Sequence, residues 1–279
     1  MNENNLLPNQ DPASTPGQAI ERLIRILTLL RKDCPWDKKQ TFETLRCLTI
    51  EETYELSESL LENEPEEIKK ELGDLLLHIA FYSQIGAEKN LFDFTMVTNG
   101  ICEKLIRRHP HIFSDVQANT AEQVKQNWEE IKLKEGSKHS VLAGVPSSLP
   151  ATVKAFRIQE KARGVGFDWD NSDQVWDKVL EELDELKVEV SKWKTQKTEE
   201  QHSRMNSELG DLLFAIINYA RFIDVNPDDA LEHTNKKFIR RFKYLEEKTI
   251  MQGQSLHELT LDQMNVYWNE AKTLESDNL

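Results

Sequence analysis

The sequence predicts an all-α protein made of two tandem antiparallel helical bundles. The prediction rests on a set of sequence blocks that recurs in order, on apolar residues spaced by three and four, and on the scarcity of alternating β-branched runs and Asn-Gly hairpin signals.

The repeat is the strongest of these. Glu51-Glu52-Thr53-Tyr54-Glu55-Leu56 is answered by Glu181-Glu182-Leu183-Asp184-Glu185-Leu186. The hexamer Glu-Leu-Gly-Asp-Leu-Leu stands at Glu71–Leu76 and again, unchanged, at Glu208–Leu213. Lys104-Leu105-Ile106-Arg107-Arg108 is matched by Lys237-Phe238-Ile239-Arg240-Arg241, and Trp128-Glu129-Glu130-Ile131-Lys132 by Trp268-Asn269-Glu270-Ala271-Lys272. One match in an acidic chain would mean little, whereas ordered matches with similar gaps argue for duplication of one domain.

In chain order, Met1–Gly17 is polar, carries three prolines and has no apolar stretch of the kind a signal peptide needs, so it reads as a disordered lead-in. Ile20, Leu23, Ile24, Ile26, Leu27 and Leu30 then fall at helical spacing within Ala19–Arg31. Leu72, Leu75, Leu76 and Ile79 form a second stripe, matched later by Leu209, Leu212, Leu213, Ile216 and Ile217. The domains are expected at residues 18–135 and 151–275, separated by a Gly-, Ser- and Pro-rich linker over residues 136–150. A loop, Arg163–Trp169, leads into the second copy, and Cys34-Pro35-Trp36-Asp37 holds the comparable place in the first. Short helical hairpins bury little by themselves, so pairing between copies or subunits is expected.

Composition narrows the function. With 38% hydrophobic and 30% charged residues the chain can bury a core beneath a strongly solvated surface. A net charge of −14 opposes binding along a nucleic-acid backbone, and any anionic ligand needs a local cationic site. No apolar run is long enough to cross a bilayer. Three cysteines without CxxC spacing argue against a disulfide framework or zinc site and for reduced thiols in a cytoplasm, with Cys47 and Cys102 at helix positions open to core packing.

The chemistry-bearing residues are acidic. Glu182 and Glu185 share a helix face, with Glu181 close by, and Glu208 and Asp211 share a face of the next helix. If the two helices are antiparallel neighbours, four carboxylates converge; Glu52, Glu55, Glu71 and Asp74 can do the same in the first copy. Such a cluster repels itself unless a cation offsets it, and all-oxygen ligands suit Mg²⁺, or Mn²⁺, above zinc or copper. Solvated helix faces are the plain alternative. Against it, the acidic pair of each Glu-Leu-Gly-Asp-Leu-Leu block lies in a strongly apolar segment, and Gly73 and Gly210 at mid-helix suggest close approach of a helix, metal or ligand. A di-iron bundle would need a repeated Glu-x-x-His, but His78 is answered by Ala215.

Basic and aromatic residues accompany the carboxylates. Lys237 and Arg241 share a helix face, as do Lys104 and Arg108, and such pairs suit triphosphate oxygens. Trp268 with Lys272, and Trp128 with Lys132, set an aromatic ring and a cation one turn apart.

Together these motifs resemble the MazG family of nucleoside triphosphate pyrophosphohydrolases, from about Ala19 to about Leu274. They include Arg107-Arg108-His109-Pro110-His111-Ile112-Phe113 and Val165-Gly166-Phe167-Asp168-Trp169. The resemblance implies the all-α NTP pyrophosphatase fold, a homodimer, Mg²⁺ dependence, and hydrolysis of NTPs and dNTPs to monophosphate and pyrophosphate. It implies that the C-terminal copy is the main catalytic one, with Glu182, Glu185, Glu208 and Asp211 as metal ligands. Lys237 and Arg241 would hold phosphates, Trp268 would meet the base, and Lys272 would lie nearby. A glutamate of the cluster, Glu181 or Glu185, would accept the proton of the attacking water. Glu52, Glu55, Glu71 and Asp74 would form a second site. The rival readings are a non-catalytic nucleotide sensor and a structural helical adaptor. Pyrophosphate release separates the first from the enzyme, and stabilisation by Mg²⁺ plus nucleotide separates the second.

Overall fold

A computed structural model describes residues 14–114, 116–120, 123–124, 127–128, 131 and 140–276. Residues 1–13 of the expected lead-in, Lys132, and residues 136–139 of the expected linker lie outside the described residues. Among those described there are helices and turns and no strand, which makes the protein all-α, as its periodicity predicts. The chain divides into two units, Met1–Ile131 and Lys132–Leu279.

The first unit contains α1 (Pro16–Asp33), α2 (Phe42–Glu62), α3 (Pro65–Glu88), α4 (Phe94–Arg108) and the single turn α5 (Pro110–Phe113). Local chemistry sets the boundaries. Thr15 caps α1 just ahead of Pro16, and Thr41 opens α2 with a reciprocal capping box to Thr44. Asn63, in the left-handed region at φ 54°, ends α2 and lets the chain reverse into Pro65 of α3. Helices α2 and α3 are the principal packed pair, and α1 also lies against α3. Their shared core is Leu27, Leu45, Ala80, Phe81 and Ile85. Arg31 ties α1 to α3: its Nε donates to Glu88 Oε1 at 2.9 Å while its Nη1 donates to the Gln40 carbonyl at 3.1 Å.

The second unit contains α6 (Ala151–Arg163), α7 (Ser172–Thr195), α8 (Glu199–Phe222), α9 (Pro227–Met251) and α10 (Leu261–Ser276). Asn171, Thr198 and Asn226 cap α7, α8 and α9 through their side chains. Helices α7 and α8 form the dominant hairpin, and α9 pairs with α10. Val179, Leu212 and Ala215 are the centre of the hairpin core, flanked by Leu183, Leu186 and Tyr219. At one end of the hairpin Gln201 of α8 donates to the carboxylate of Glu189 of α7, itself paired with Lys192 at 2.5 Å. Towards the other, Asp168 receives a bidentate ion pair from the buried Arg221. Gly166, at φ +84°, supplies the left-handed residue that the loop before α7 requires.

The structure changes two of the expectations. Cys47 and Cys102 are on helices but exposed, because the apolar face of α2 turns Leu45 inward and α4 buries no residue. A Cβ added at Gly73 or Gly210 would meet nothing within 4 Å, so among the described residues neither glycine marks a close approach. The apolar stripes are only half covered: Leu212 and Ile217 are buried, whereas Leu72, Ile79, Leu209, Leu213 and Ile216 are exposed. No helix among the described residues is long and apolar enough to cross a membrane.

Candidate active site

Each principal hairpin brings its acidic residues together. In the second unit α7 projects Glu182 and Glu185, spaced to share a face, towards Glu208 on α8. One carboxylate oxygen from each lies within 4.8 Å of the others. In the first unit α2 supplies Glu52 and Glu55 and α3 supplies Glu71, with the same mutual approach. Asp211 and Asp74 stand outside these triplets of close oxygens but act on them electrically. Burial first, then the charges of Glu185, Asp211 and Glu182, pushes the Glu208 carboxyl above its ordinary value. Burial first, then Asp74, Glu55 and Glu71, does the same to Glu52.

The clusters differ in which carboxylate is deepest. In the second unit it is Glu182, 7% exposed; in the first it is Glu71, 3% exposed, which stands on the opposite helix of the hairpin. Each carries a lysine that sequence spacing did not single out. Lys178 donates to Glu182 at 2.7 Å and to Glu181 at 2.9 Å. Lys70 donates to Glu71 Oε1 at 2.8 Å. These hydrogen bonds hold both ammonium groups above their usual range. The only advance signal for Lys178 is its place four residues before Glu182; Lys70 adjoins Glu71 in sequence and had none.

Glu71 Oε2 is buried and no donor of the described residues reaches it. A buried carboxylate oxygen without a partner is costly. A hard cation bound by oxygen ligands would satisfy it, and the donor set of both clusters, carboxylates alone, is the set that Mg²⁺ and Mn²⁺ prefer.

The basic and aromatic residues sit on the other helix pair. Lys237 is exposed on α9. Arg241, one turn on, lies with its guanidinium carbon 5.9 Å from the Trp268 ring centre on α10. Phe238 closes on the same indole at 5.0 Å between ring centres. Lys272 follows Trp268 on α10 by one turn. The first unit repeats the stacking, with Arg108 5.5 Å from the Trp128 ring centre. Glu275, absent from the motif reading, accepts from Arg241 Nε at 2.8 Å and from Arg240 Nε at 2.7 Å. It lies more than thirty residues from both arginines in sequence, so no local spacing announces it.

Residues 40–113 and 171–245 each match the MazG nucleotide pyrophosphohydrolase domain. The two matches cover the two acidic hairpins.

The chain belongs to the MazG family.

Its relatives agree over most of its length. The nucleoside triphosphate pyrophosphohydrolase of Escherichia coli is 39% identical over 264 residues, covering 92% of this chain and 98% of that protein. The nucleoside triphosphate pyrophosphohydrolase/pyrophosphatase MazG of Thermotoga maritima is 41% identical over 260 residues, 92% of this chain and 96% of that one. The Mycobacterium tuberculosis nucleoside triphosphate pyrophosphohydrolase is 30% identical over 157 residues, 56% of this chain and 48% of its own. This MazG chain is therefore an enzyme of the pyrophosphohydrolase class, built from two MazG domains.

Proposed function

We propose that this MazG enzyme hydrolyses NTPs and dNTPs to the monophosphate and pyrophosphate with Mg²⁺, or Mn²⁺ in its place. Its principal centre is the second unit, with Glu182, Glu185, Glu208 and Asp211 as metal ligands. The observation that carries the reading is the convergence of Glu182, Glu185 and Glu208 oxygens within 4.8 Å across the α7–α8 hairpin. About four carboxylates facing a triphosphate of about four negative charges need divalent compensation. Bound there, the metal would supply an acidified water and offset the charge of the leaving pyrophosphate.

The protein groups divide the remaining work. Glu181 is engaged by Lys178, which favours Glu185, exposed at the edge of the cluster, as acceptor of the water's proton. Lys237 and Arg241 hold phosphate oxygens, Trp268 meets the base, and Lys272 lies beside it. Glu52, Glu55, Glu71 and Asp74 hold a second divalent cation in the first unit, a reading supported by the unpartnered Glu71 Oε2.

The working form is a homodimer. Leu209, Leu213 and Ile216 on α8, with Phe238 and Ile239 on α9, leave apolar area uncovered on the second unit, and a second copy would cover it. The free thiols Cys34, Cys47 and Cys102 suit a reducing cytoplasm.

Product analysis over a panel of ribo- and deoxynucleotides tests the reading. Equimolar monophosphate and pyrophosphate, dependent on Mg²⁺, is the expected result. Binding without pyrophosphate would instead make the protein a sensor, and light scattering that finds a monomer would remove the dimer.

A further inference from the structure

Glu275 stands near the C-terminal end of α10, and each of its oxygens serves one arginine of α9. Oε1 accepts from Arg240 Nε at 2.7 Å and Nη2 at 2.6 Å; Oε2 accepts from Arg241 Nε at 2.8 Å and Nη2 at 2.6 Å. The Arg240 side chain is 62% exposed, whereas that of Arg241 is 17% exposed and faces the Trp268 ring. The carboxylate therefore fixes the more enclosed guanidinium along one edge while the indole limits its other freedom.

The count of charges and donors decides what such a clamp is for. One carboxylate against two guanidinium groups leaves the trio with a net positive charge. Arg241 has five N–H donors, and Glu275 engages the edge formed by Nε and Nη2, so among the described residues Nη1 is left to another acceptor. An arginine held by one edge has lost its rotamer entropy before any ligand arrives and still presents a charged fork. The first unit offers a parallel: Arg108 lies over Trp128, and Glu135 follows Trp128 by seven residues as Glu275 follows Trp268. Glu135 itself lies outside the described residues.

We propose that Glu275 is a positioning residue for nucleotide binding: it holds Arg241 against Trp268, ready for a phosphate oxygen of the substrate. The inference rests on the reading of Arg241 as a phosphate-holding residue and adds to it the group that orients it. The contact is made before substrate binds, so its loss weakens binding and leaves the chemical step nearly untouched.

The test is steady-state pyrophosphate release by the full chain with Mg²⁺ and a saturable NTP, comparing wild type, Glu275→Gln, Glu275→Asp and Arg241→Ala. Glu275→Gln is expected to raise KM about tenfold, the worth of one charge-assisted hydrogen bond, with kcat within about twofold. Glu275→Asp keeps the charge on a shorter stem and is expected to fall between. If Arg241→Ala raises KM but both Glu275 variants match or undercut wild type, positioning by Glu275 is overturned. If Arg241→Ala itself leaves KM unchanged, the phosphate role of Arg241 fails and this inference falls with it. A loss of kcat with no change in KM in the Glu275 variants would equally contradict it. Should Glu275→Gln fold poorly, Glu275→Asp carries the same comparison.

Discussion

Lys178 Nζ lies 2.7 Å from Glu182 Oε1, so the deepest carboxylate of the second acidic cluster is already paired with the protein's own cation. The pair spans one helical turn of α7 and links the acidic face to an open depression beside Trp169, Asp170 and Asp177. Removing the lysine leaves Glu182 buried among like charges. Lys178→Met is expected to cost about 1–2 kcal/mol, less than for a fully buried pair because the lysine is one-third exposed. Chemical denaturation would measure the loss, and Mg²⁺ should recover more stability for the variant than for wild type. No change in midpoint with or without Mg²⁺ would contradict it.

Arg221 and Asp168 form the counterpart structural pair. The arginine side chain is 6% exposed and the aspartate 20% exposed. Asp168→Ala strands the buried Arg221 guanidinium, retaining among the described residues the acceptor on Asn218. A cost of about 3–5 kcal/mol is expected, read as a fall in Tm of the second unit. A shift within error would mean that water already reaches Arg221.

Acid should loosen the first unit through Glu88. Its carboxyl is held below the ordinary range, chiefly by the hydrogen bond from Arg31. A carboxyl depressed on folding contributes stability that is fully present above its unfolded pKa. That contribution is lost as pH falls through the folded value, which lies below the ordinary glutamate value. Glu88→Gln should therefore lower stability at pH 7 and flatten its decline in acid. Parallel acid profiles for variant and wild type would refute the assignment.

Gly210 lies between Glu208 and Asp211, and nothing among the described residues would meet a Cβ there. Gly210→Ala should stabilise α8 by about 0.5–1 kcal/mol through helix propensity and unfolded-state entropy. Turnover should stay unchanged. Full stability with lost turnover would mean that substrate, metal or a second copy passes over that glycine.

The limits of reading this protein from its sequence have physical causes. Helical periodicity is local, so α1, α3 and α8 were legible from their leucines and isoleucines alone. The meeting of Glu182, Glu185 and Glu208 was legible because three- and four-residue spacings fix a face and a short connection makes neighbours of α7 and α8. Depth was not legible. That Glu71 is the buried member of one cluster and Glu182 of the other depends on how each hairpin packs, since both copies present nearly the same letters. The same holds for Cys47, which sits two residues from the fully buried Leu45 yet faces outward. Glu275 joins Arg240 and Arg241 across two helices, a tertiary contact with no sequence period behind it.

The most direct test of the carboxylate centre is Mg²⁺-dependent pyrophosphate release by Glu208→Ala, set beside wild type of equal helical content by circular dichroism. The convergence of Glu208 with Glu182 and Glu185 predicts turnover reduced to background at every Mg²⁺ concentration, with the fold intact. Full turnover with an unchanged Mg²⁺ requirement would contradict it.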